Sequence, residues 1–466
     1  MTIIRSAIVA LFVAGALLAG GVGVAQAQDW WPIKVFDLGE LTADEFDALE
    51  TLPSTVDYIP LEKASEKWHL CVLFPHMKDS YWVSVNYGVM DEARRLGGER
   101  ALLVTDSGIV EAGHAAAAQA SLETAGLEVT IFSKVIENPS SSCVAECATI
   151  AKAANIDLIV GLGGGSSMDT AKGCNFVLTN GGTMKDYWGI GKATKPMLPL
   201  IAVPTTAGTG SECQSFALIS DDETHRKMAC GDKKALPKVA ILDPELTISQ
   251  PDQVTACTGI DALSHALEAA VTRDRNPVSS RHARHGFLLV QENLKQVFAD
   301  PNDLEARGFV LLGASHAGAA IESSMLGCAH SMANPLTARR GVVHGNAVGL
   351  CLPAVMRFNA ELPAVGAIYA DLARDAGLAG PEMEDAHAAE AVIAKVERLL
   401  QLAGFPLTLK EHGFAREDIA ELAVEAVEQW TAGFNPRKVS AVEVEKLYAS
   451  VFDSSTCEVD ETKACS

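Results

Sequence analysis

Short apolar runs alternate with amphipathic stretches along most of this chain, and that alternation carries the first structural expectation. His69 to Phe74 is an apolar run that predicts a strand, and Trp82 to Leu96 has helical spacing ending at Gly97-Gly98. Ala101-Leu102-Leu103-Val104 predicts a second, buried strand, closed by Thr105-Asp106-Ser107-Gly108. Helix 112–125, strand 127–132, helix 143–154 and strand Asp157 to Gly161 follow in turn. Further strands are expected at Leu200 to Val203 and at 239–242, the latter running into Asp243-Pro244-Glu245. Strands and helices alternating at this spacing imply a parallel sheet with helices on both faces. From about residue 250 the β-branched runs cease. An Ala-, Leu- and His-rich pattern then predicts helices to about 452, which places a domain boundary near 249–252.

Composition narrows the class. The 466 residues are 48% hydrophobic and 21% charged, which excludes disorder, collagen and a multi-span membrane protein. With 37 basic and 59 acidic residues the net charge is −22, a poor match for a nucleic-acid partner. Eleven irregularly spaced cysteines read as a reduced, buried set, although Cys143 and Cys147 are spaced as a metal or disulfide pair.

The N-terminus points the other way. Arg5 precedes an uncharged apolar stretch from Ala7 to Ala25, followed by Ala25-Gln26-Ala27, the pattern of a secretory signal peptide over 1–27. A buried helix is weakened by Gly20, Gly21 and Gly23; an uncleaved anchor is the stronger rival, because 19 residues nearly span a bilayer. Residues 28–66 show no sustained period and read as an irregular arm, and 453–466 as a polar, frayed tail.

Two glycine-rich loops carry candidate chemistry. Gly163-Gly164-Gly165-Ser166-Ser167-Met168-Asp169 follows a predicted strand and opens a helix, where glycines admit a ligand to the backbone and free N–H groups hold phosphate. It is not the GxGxxG fingerprint, and a tight strand-to-helix turn is the alternative reading of the loop alone. Pro204-Thr205-Thr206-Ala207-Gly208-Thr209-Gly210-Ser211 is a second small-residue loop after a strand. Two such loops line one crevice at the carboxyl ends of a parallel sheet and favour a nucleotide. In the helical half, Asp261 and His265 are i and i+4 and share a helix face. An Asp–His pair that merely joins two helices has the same spacing. His330 and His344, fourteen apart, complete a carboxylate and three imidazoles, a set suited to Fe, Zn, Ni or Co. His282 and His285 sit among arginines and His316 in an Ala-rich stretch; these three read as surface or core residues.

GGGSSMDTAK, PTTAGTGSE, DPELT, GIDALSHALE, CAHSMANP and VHGNAVGLCLP, in this order over about 87–452, resemble the iron-containing (group III) alcohol dehydrogenases. The resemblance implies an α/β dinucleotide-binding domain over 67–250 and an all-helical metal-binding and catalytic domain over 251–452, with the active site between them. It implies Fe(II), or Zn, held by Asp261, His265, His330 and His344. It also implies NAD contacts at Asp106, Asn138, Gly164, Gly165, Ser166, Asp169, Thr205, Thr206, Thr209, Ser211 and Lys227. Asp106, after a strand, suits a ribose 2′-hydroxyl and repels a 2′-phosphate, favouring NAD over NADP. The expected reaction is reversible hydride transfer between a small alcohol or aldehyde and the nicotinamide, in a homo-oligomer.

Two departures stand out. Some relatives carry a second histidine where Asn334 stands here, and a neutral amide cannot relay a proton. Lys67-Trp68-His69-Leu70-Cys71-Val72-Leu73-Phe74-Pro75-His76-Met77-Lys78-Asp79-Ser80-Tyr81-Trp82 resembles the start of a type I periplasmic binding protein, such as the sensor component for trimethylamine N-oxide; the likeness covers about 1–97, signal peptide included, and suggests a fused or wrongly joined reading frame, with 67–97 a grafted strand–helix unit. The alternative functions are a periplasmic ligand-binding or sensor fragment and a dehydroquinate-synthase-like lyase. The lyase is disfavoured because no Lys or Arg is prominent around the metal motifs. The catalytic half is expected in the cytoplasm, where NAD is found, against the periplasmic address of the signal peptide.

Overall fold

A computed structural model describes the backbone of residues 33–36 and 55–58, together with Ala93, residues 95–224 and residues 226–453. The expected signal peptide, most of the 67–97 unit and the tail from 454 onward lie outside the described residues. The chain divides into two units, Met1–His69 and Leu70–Ser466. In the first, strands β1 (Ile33–Phe36) and β2 (Thr55–Tyr58) pair antiparallel, Ile33 opposite Tyr58. The expectation of a wholly irregular arm is therefore corrected. Four-residue strands are too short to establish a period in the sequence.

The second unit begins its described part with a five-stranded parallel sheet. Its strands are β3 (Arg100–Asp106), β4 (Glu128–Val135), β5 (Leu158–Gly163), β7 (Leu200–Pro204) and β10 (Val239–Ala240), in the spatial order β10-β7-β5-β3-β4. Between them run helices α1 (Ser107–Glu111), α2 (His114–Thr124), α3 (Ser141–Ala153) and α4 (Gly165–Asn180). The continuous apolar run 101–104 is explained by burial on both faces. Ala101 and Leu103 pack with Leu122 of α2, Val160 and Val203, whereas Leu102 and Val104 pack with Cys147 of α3 and Cys174 of α4. β3 is flanked by β4 and β5.

A smaller sheet went unseen in the sequence. Strands β6 (Gly189–Ile190), β8 (Phe216–Ser220) and β9 (Lys227–Gly231) form it in the order β6-β9-β8. From Asp252 the described chain is helical: α5 (Asp252–Ala269), α6 (Pro277–Ala299), α7 (Leu304–Ser324), α8 (Cys328–Arg340), α9 (His344–Ala360), α10 (Pro363–Asp375), α11 (Asp385–Leu402), α12 (Ile419–Val427) and α13 (Ala441–Ser450). Ile260, Leu263, Phe287, Val290, Val348, Tyr369, Leu399 and Tyr448 belong to their shared core. The expected class, a parallel α/β half followed by an all-helical half, is the one observed. Among the described residues no single helix is long and apolar enough to cross a membrane.

The two halves meet where the sheet's carboxyl ends face α5 and α7. Gly210, at φ 62, lies so close to α7 that a Cβ on Gly318 would fall 2.3 Å from the Gly210 carbonyl oxygen. Only glycine at both positions permits this approach. Ser315 of α7 donates to Glu212, and Ser215 donates to Glu322 of α7 through both its backbone N–H (2.8 Å) and its hydroxyl (2.7 Å). The loop after β7 is thereby clamped to the helical half.

Candidate metal centre and nucleotide cleft

Three imidazole nitrogens converge on one carboxylate oxygen. Asp261 and His265 project from one face of α5, His330 comes from the first turn of α8, and His344 opens α9. From Asp261 Oδ1 the distances are 3.3 Å to His265 Nε2, 3.4 Å to His330 Nε2 and 3.8 Å to His344 Nε2. The first three residues are buried, while the His344 side chain is 35% exposed and marks the open side of the cluster. Four ligands bonded to one ion at about 2.1 Å stand about 3.4 Å apart in a tetrahedron, close to the spacing found here.

The unpaired atoms supply the test of fit. Asp261 Oδ1 and His330 Nε2 are buried and lack any hydrogen-bond partner, a costly state unless an ion takes the place of that partner. The outer nitrogens are engaged. His265 Nδ1 lies 3.3 Å from the Gly208 carbonyl oxygen, and His330 Nδ1 lies 2.5 Å from Glu268 Oε2. Each contact orients its ring so that Nε2 faces Asp261. Burial by itself raises the Asp261 carboxyl, but the surrounding imidazoles outweigh it and hold the group well below the usual carboxylate range. Burial lowers His265. It would lower His330 too, yet the carboxylates of Asp261 and Glu268 on either side push that imidazole up to about 9. Burial also lowers His344, to about 3, so two of the three imidazoles stand neutral, the form that binds metal, beside an ionised carboxylate. Asp261, His265 and His330 form a possible metal-binding group among the described residues.

Glu268 was missed in the sequence. Its other oxygen accepts from Ala329 N at 2.7 Å, so one carboxylate holds both the ring of His330 and the start of α8. Its position, three residues after His265 on the same helix face, was the available signal. Asn334 donates to Gln429 at 3.1 Å and ties α8 to the segment carrying Trp430.

The glycine loops lie at the sheet's carboxyl ends. Gly164 caps α4 without any side-chain hydrogen bond. Its backbone, with that of Gly165, faces Thr206 and Thr209: a Cβ would lie 3.2 Å from Thr206 Cγ2 at the first position and 2.8 Å from Thr209 Cγ2 at the second. Gly163 is at φ +144, and a Cβ there would lie 2.4 Å from Ser167 Oγ. A bare helix N-terminus in a groove where side chains do not fit suits a pyrophosphate. Ser166 follows in the first turn of α4, and Thr205, buried, donates its backbone N–H to the Gly163 carbonyl at 3.0 Å.

Asp106 ends β3 and caps α1 through Ile109 N at 3.1 Å, while Ser167 Oγ donates to its second oxygen at 3.3 Å. Each carboxylate oxygen keeps a further lone pair for a ribose hydroxyl. Asn138, at φ 52, and Lys227 flank Ser220: the Ser220 hydroxyl donates to the Asn138 carbonyl at 3.4 Å, and Lys227 pairs with Ser220 across β8 and β9. Asp169 and Ser211 are turned inward. Asp169 accepts from Ser211 Oγ at 2.8 Å and from Leu218 N at 3.1 Å, and Lys172 Nζ donates to Ser211 O (2.6 Å), Ser211 Oγ (2.7 Å) and Phe216 O (3.0 Å). Lys172 is fully buried, a residue whose structural part the sequence did not reveal.

Comparison with known proteins decides the family. The profile "Iron-containing alcohol dehydrogenase" matches residues 87–244, and "Fe-containing alcohol dehydrogenase family, C-terminal" matches 255–452. The chain belongs to the iron-containing alcohol dehydrogenase family. It is 36% identical to the NAD-dependent methanol dehydrogenase of Bacillus methanolicus over 354 residues, covering 76% of this chain and 92% of that one. It is likewise 36% identical to a 1,3-propanediol dehydrogenase of Klebsiella pneumoniae over 366 residues, or 78% and 94% of the two chains. A solved 1,3-propanediol oxidoreductase superposes with a TM-score of 0.76 at 35% identity, over 79% of this chain and 96% of that one. Both family profiles describe dehydrogenases, so membership supports the enzyme reading over the ligand-binding alternative.

Proposed function

We propose that this chain is a metal-dependent, NAD-linked alcohol dehydrogenase that interconverts small primary alcohols and their aldehydes. One observation carries the reading. Three imidazole nitrogens face a single buried carboxylate oxygen that has no hydrogen-bond partner, and the helix bearing it touches the nucleotide loop through His265 and Gly208. Asp261, His265, His330 and His344 would hold Fe(II) or Zn. When bound, the metal supplies a Lewis acid for the alcohol oxygen, and NAD supplies the hydride acceptor.

The chain's own residues do the positioning. Glu268 and the Gly208 carbonyl fix the two buried rings, Gly164 and Gly165 admit the dinucleotide's phosphates, and Asp106 takes the adenine ribose. Relatives named for methanol and 1,3-propanediol support a small, unbranched substrate. The test is NADH formation by purified protein with a panel of primary alcohols, with and without added Fe(II). Absence of metal-dependent NADH formation across the panel would refute the reading.

We also assign the catalytic half to the cytoplasm, because it needs a cytoplasmic cofactor. The binding-protein likeness of 67–97 and the export signal of 1–27 belong, on this reading, to a joined segment that adds nothing to catalysis. A chain beginning at Lys67 should keep its NAD-linked activity; active, NAD-loaded enzyme recovered from the periplasm would overturn the assignment.

A further inference from the structure

Helices α6 and α7 cross at a pair of glycines. A Cβ on Gly286 would lie 3.0 Å from the Gly313 carbonyl oxygen, and one on Gly313 would lie 2.7 Å from Val290 Cγ2. This close crossing brings together three imidazoles that are far apart in the sequence. His282 and His285 are i and i+3 on α6, and His316 stands three residues beyond Gly313 on α7. Their ring centroids are 5.1 Å apart for His282 and His316 and 5.5 Å for His285 and His316. The corresponding separations in the Asp261 centre are 4.8 and 5.4 Å. His282 Nδ1 and His316 Nδ1 face each other at 2.9 Å, so one of them carries a proton and the other a bare lone pair.

We propose that His282, His285 and His316 form a second divalent-metal site, separate from the Asp261 centre, for a borderline ion such as zinc, cobalt, nickel or copper.

The donor chemistry selects that class. Burial lowers His282, and lowers His316 to about 4, so both are neutral at pH 7, the form that binds metal. After burial, the neighbour that acts on His282 is His285, and those that act on His316 are His282 and His285. An all-imidazole set without a carboxylate favours copper, nickel and zinc over Fe(II) or magnesium. Of the flanking arginines, Arg284 is neutralised by Asp375 at 2.5 Å.

The geometry asks for a small adjustment between His282 and His316 and a larger one from His285, because the donor nitrogens of all three do not lie within 4.8 Å of one another. A tetrahedral ion with bonds of about 2.05 Å spans its donors by about 3.3 Å, so His282 and His316 must part by about 0.4 Å as the ion replaces their shared proton. His285 is exposed, so a rotation of its side chain is what brings the third nitrogen onto the ion, leaving the fourth position to water. An ion here staples α6 to α7, the helix whose Ser315 and Glu322 clamp the nucleotide loop.

Equilibrium dialysis of the full chain against micromolar Zn(II), with metal counted by plasma emission spectroscopy, tests the site. His285→Ala and His316→Gln should each hold one zinc fewer per chain than the wild type, while dehydrogenase activity of the iron-loaded enzyme stays within twofold. His285 is at the surface, so its variant should fold whatever becomes of His316→Gln. In the His330→Ala chain one ion should remain, and that ion should be lost on adding His285→Ala. Equal zinc content in the wild type and the His285→Ala chain would overturn the proposal, as would a wild type that holds a single ion.

Discussion

The metal centre and the nucleotide cleft treat buried polar atoms in opposite ways. Around Asp261 the central atoms are left unpaired: Asp261 Oδ1 and His330 Nε2 have no partner, and the protein spends its hydrogen bonds on the outer nitrogens. In the cleft the polar side chains beside the loops are satisfied internally. Asp169, Lys172 and Ser211 bond one another and the backbone, and what faces the ligand is glycine backbone and a bare helix end. The reason is the ligand. An ion needs convergent lone pairs, whereas a pyrophosphate needs N–H donors and room, with side chains held out of the way. One site is built by leaving atoms unpaired and the other by pairing them.

The comparison breaks most visibly at the metal. His330→Ala should empty the centre and lower kcat/KM by about 10³-fold or more, the several kcal/mol that a Lewis acid contributes. NADH affinity, read by fluorescence titration, should change by less than about threefold, because the cleft is built from other residues. Full activity in metal-depleted His330→Ala protein would sink the ligand assignment.

Lys172→Met tests the opposite logic. Burial already pushes the Asp169 carboxyl up and the Lys172 ammonium down, and removing the ammonium strands the carboxylate. Stability in urea should fall by about 3–5 kcal/mol and NADH should bind more weakly, while metal content is retained. A variant as stable as the wild type would show that the inward-turned network is not what holds the loop.

Glu268→Gln sharpens the contrast from the metal side. Losing the carboxylate behind His330 should weaken metal affinity by about 10- to 100-fold in a chelator competition, with NADH binding unchanged. Unaltered metal affinity would reduce Glu268 to a cap for α8.

Asp106→Gly should produce the smallest effect. A unit charge 4 Å from a phosphate is worth about 4 kcal/mol at an effective dielectric of 20, and solvent around this half-buried carboxylate screens part of it. The ratio of kcat/KM with NADP to that with NAD should rise about tenfold. A wild type that already uses both cofactors would refute the role given to this residue.

Much of this was legible locally. The buried runs at 101–104 and 200–203, the glycine loops after strands, and the Asp261–His265 pair all follow from periods of 2 or 3.6 residues, which a single stretch of chain displays. The smaller sheet was not, because β6 and β9 join segments about forty residues apart, and β6 is two residues long. Nor did any local pattern show that β3 has neighbours on both sides.

By itself the sequence determined the order of elements, the chemical types available and the family they resemble. It also named Asp261, His265, His330 and His344 as one ligand set; the tertiary structure decided how their atoms meet. It set His330 and His344 against Asp261, placed Glu268 behind His330, and turned Asp169 and Ser211 away from the cleft. It also joined His282, His285 and His316, which the sequence had left as unrelated residues. The physical reason is the same throughout. A side chain's identity and its face on a helix are local properties, but the meeting of lone pairs depends on how helices cross, and the glycine contacts that set those crossings lie tens of residues away along the chain.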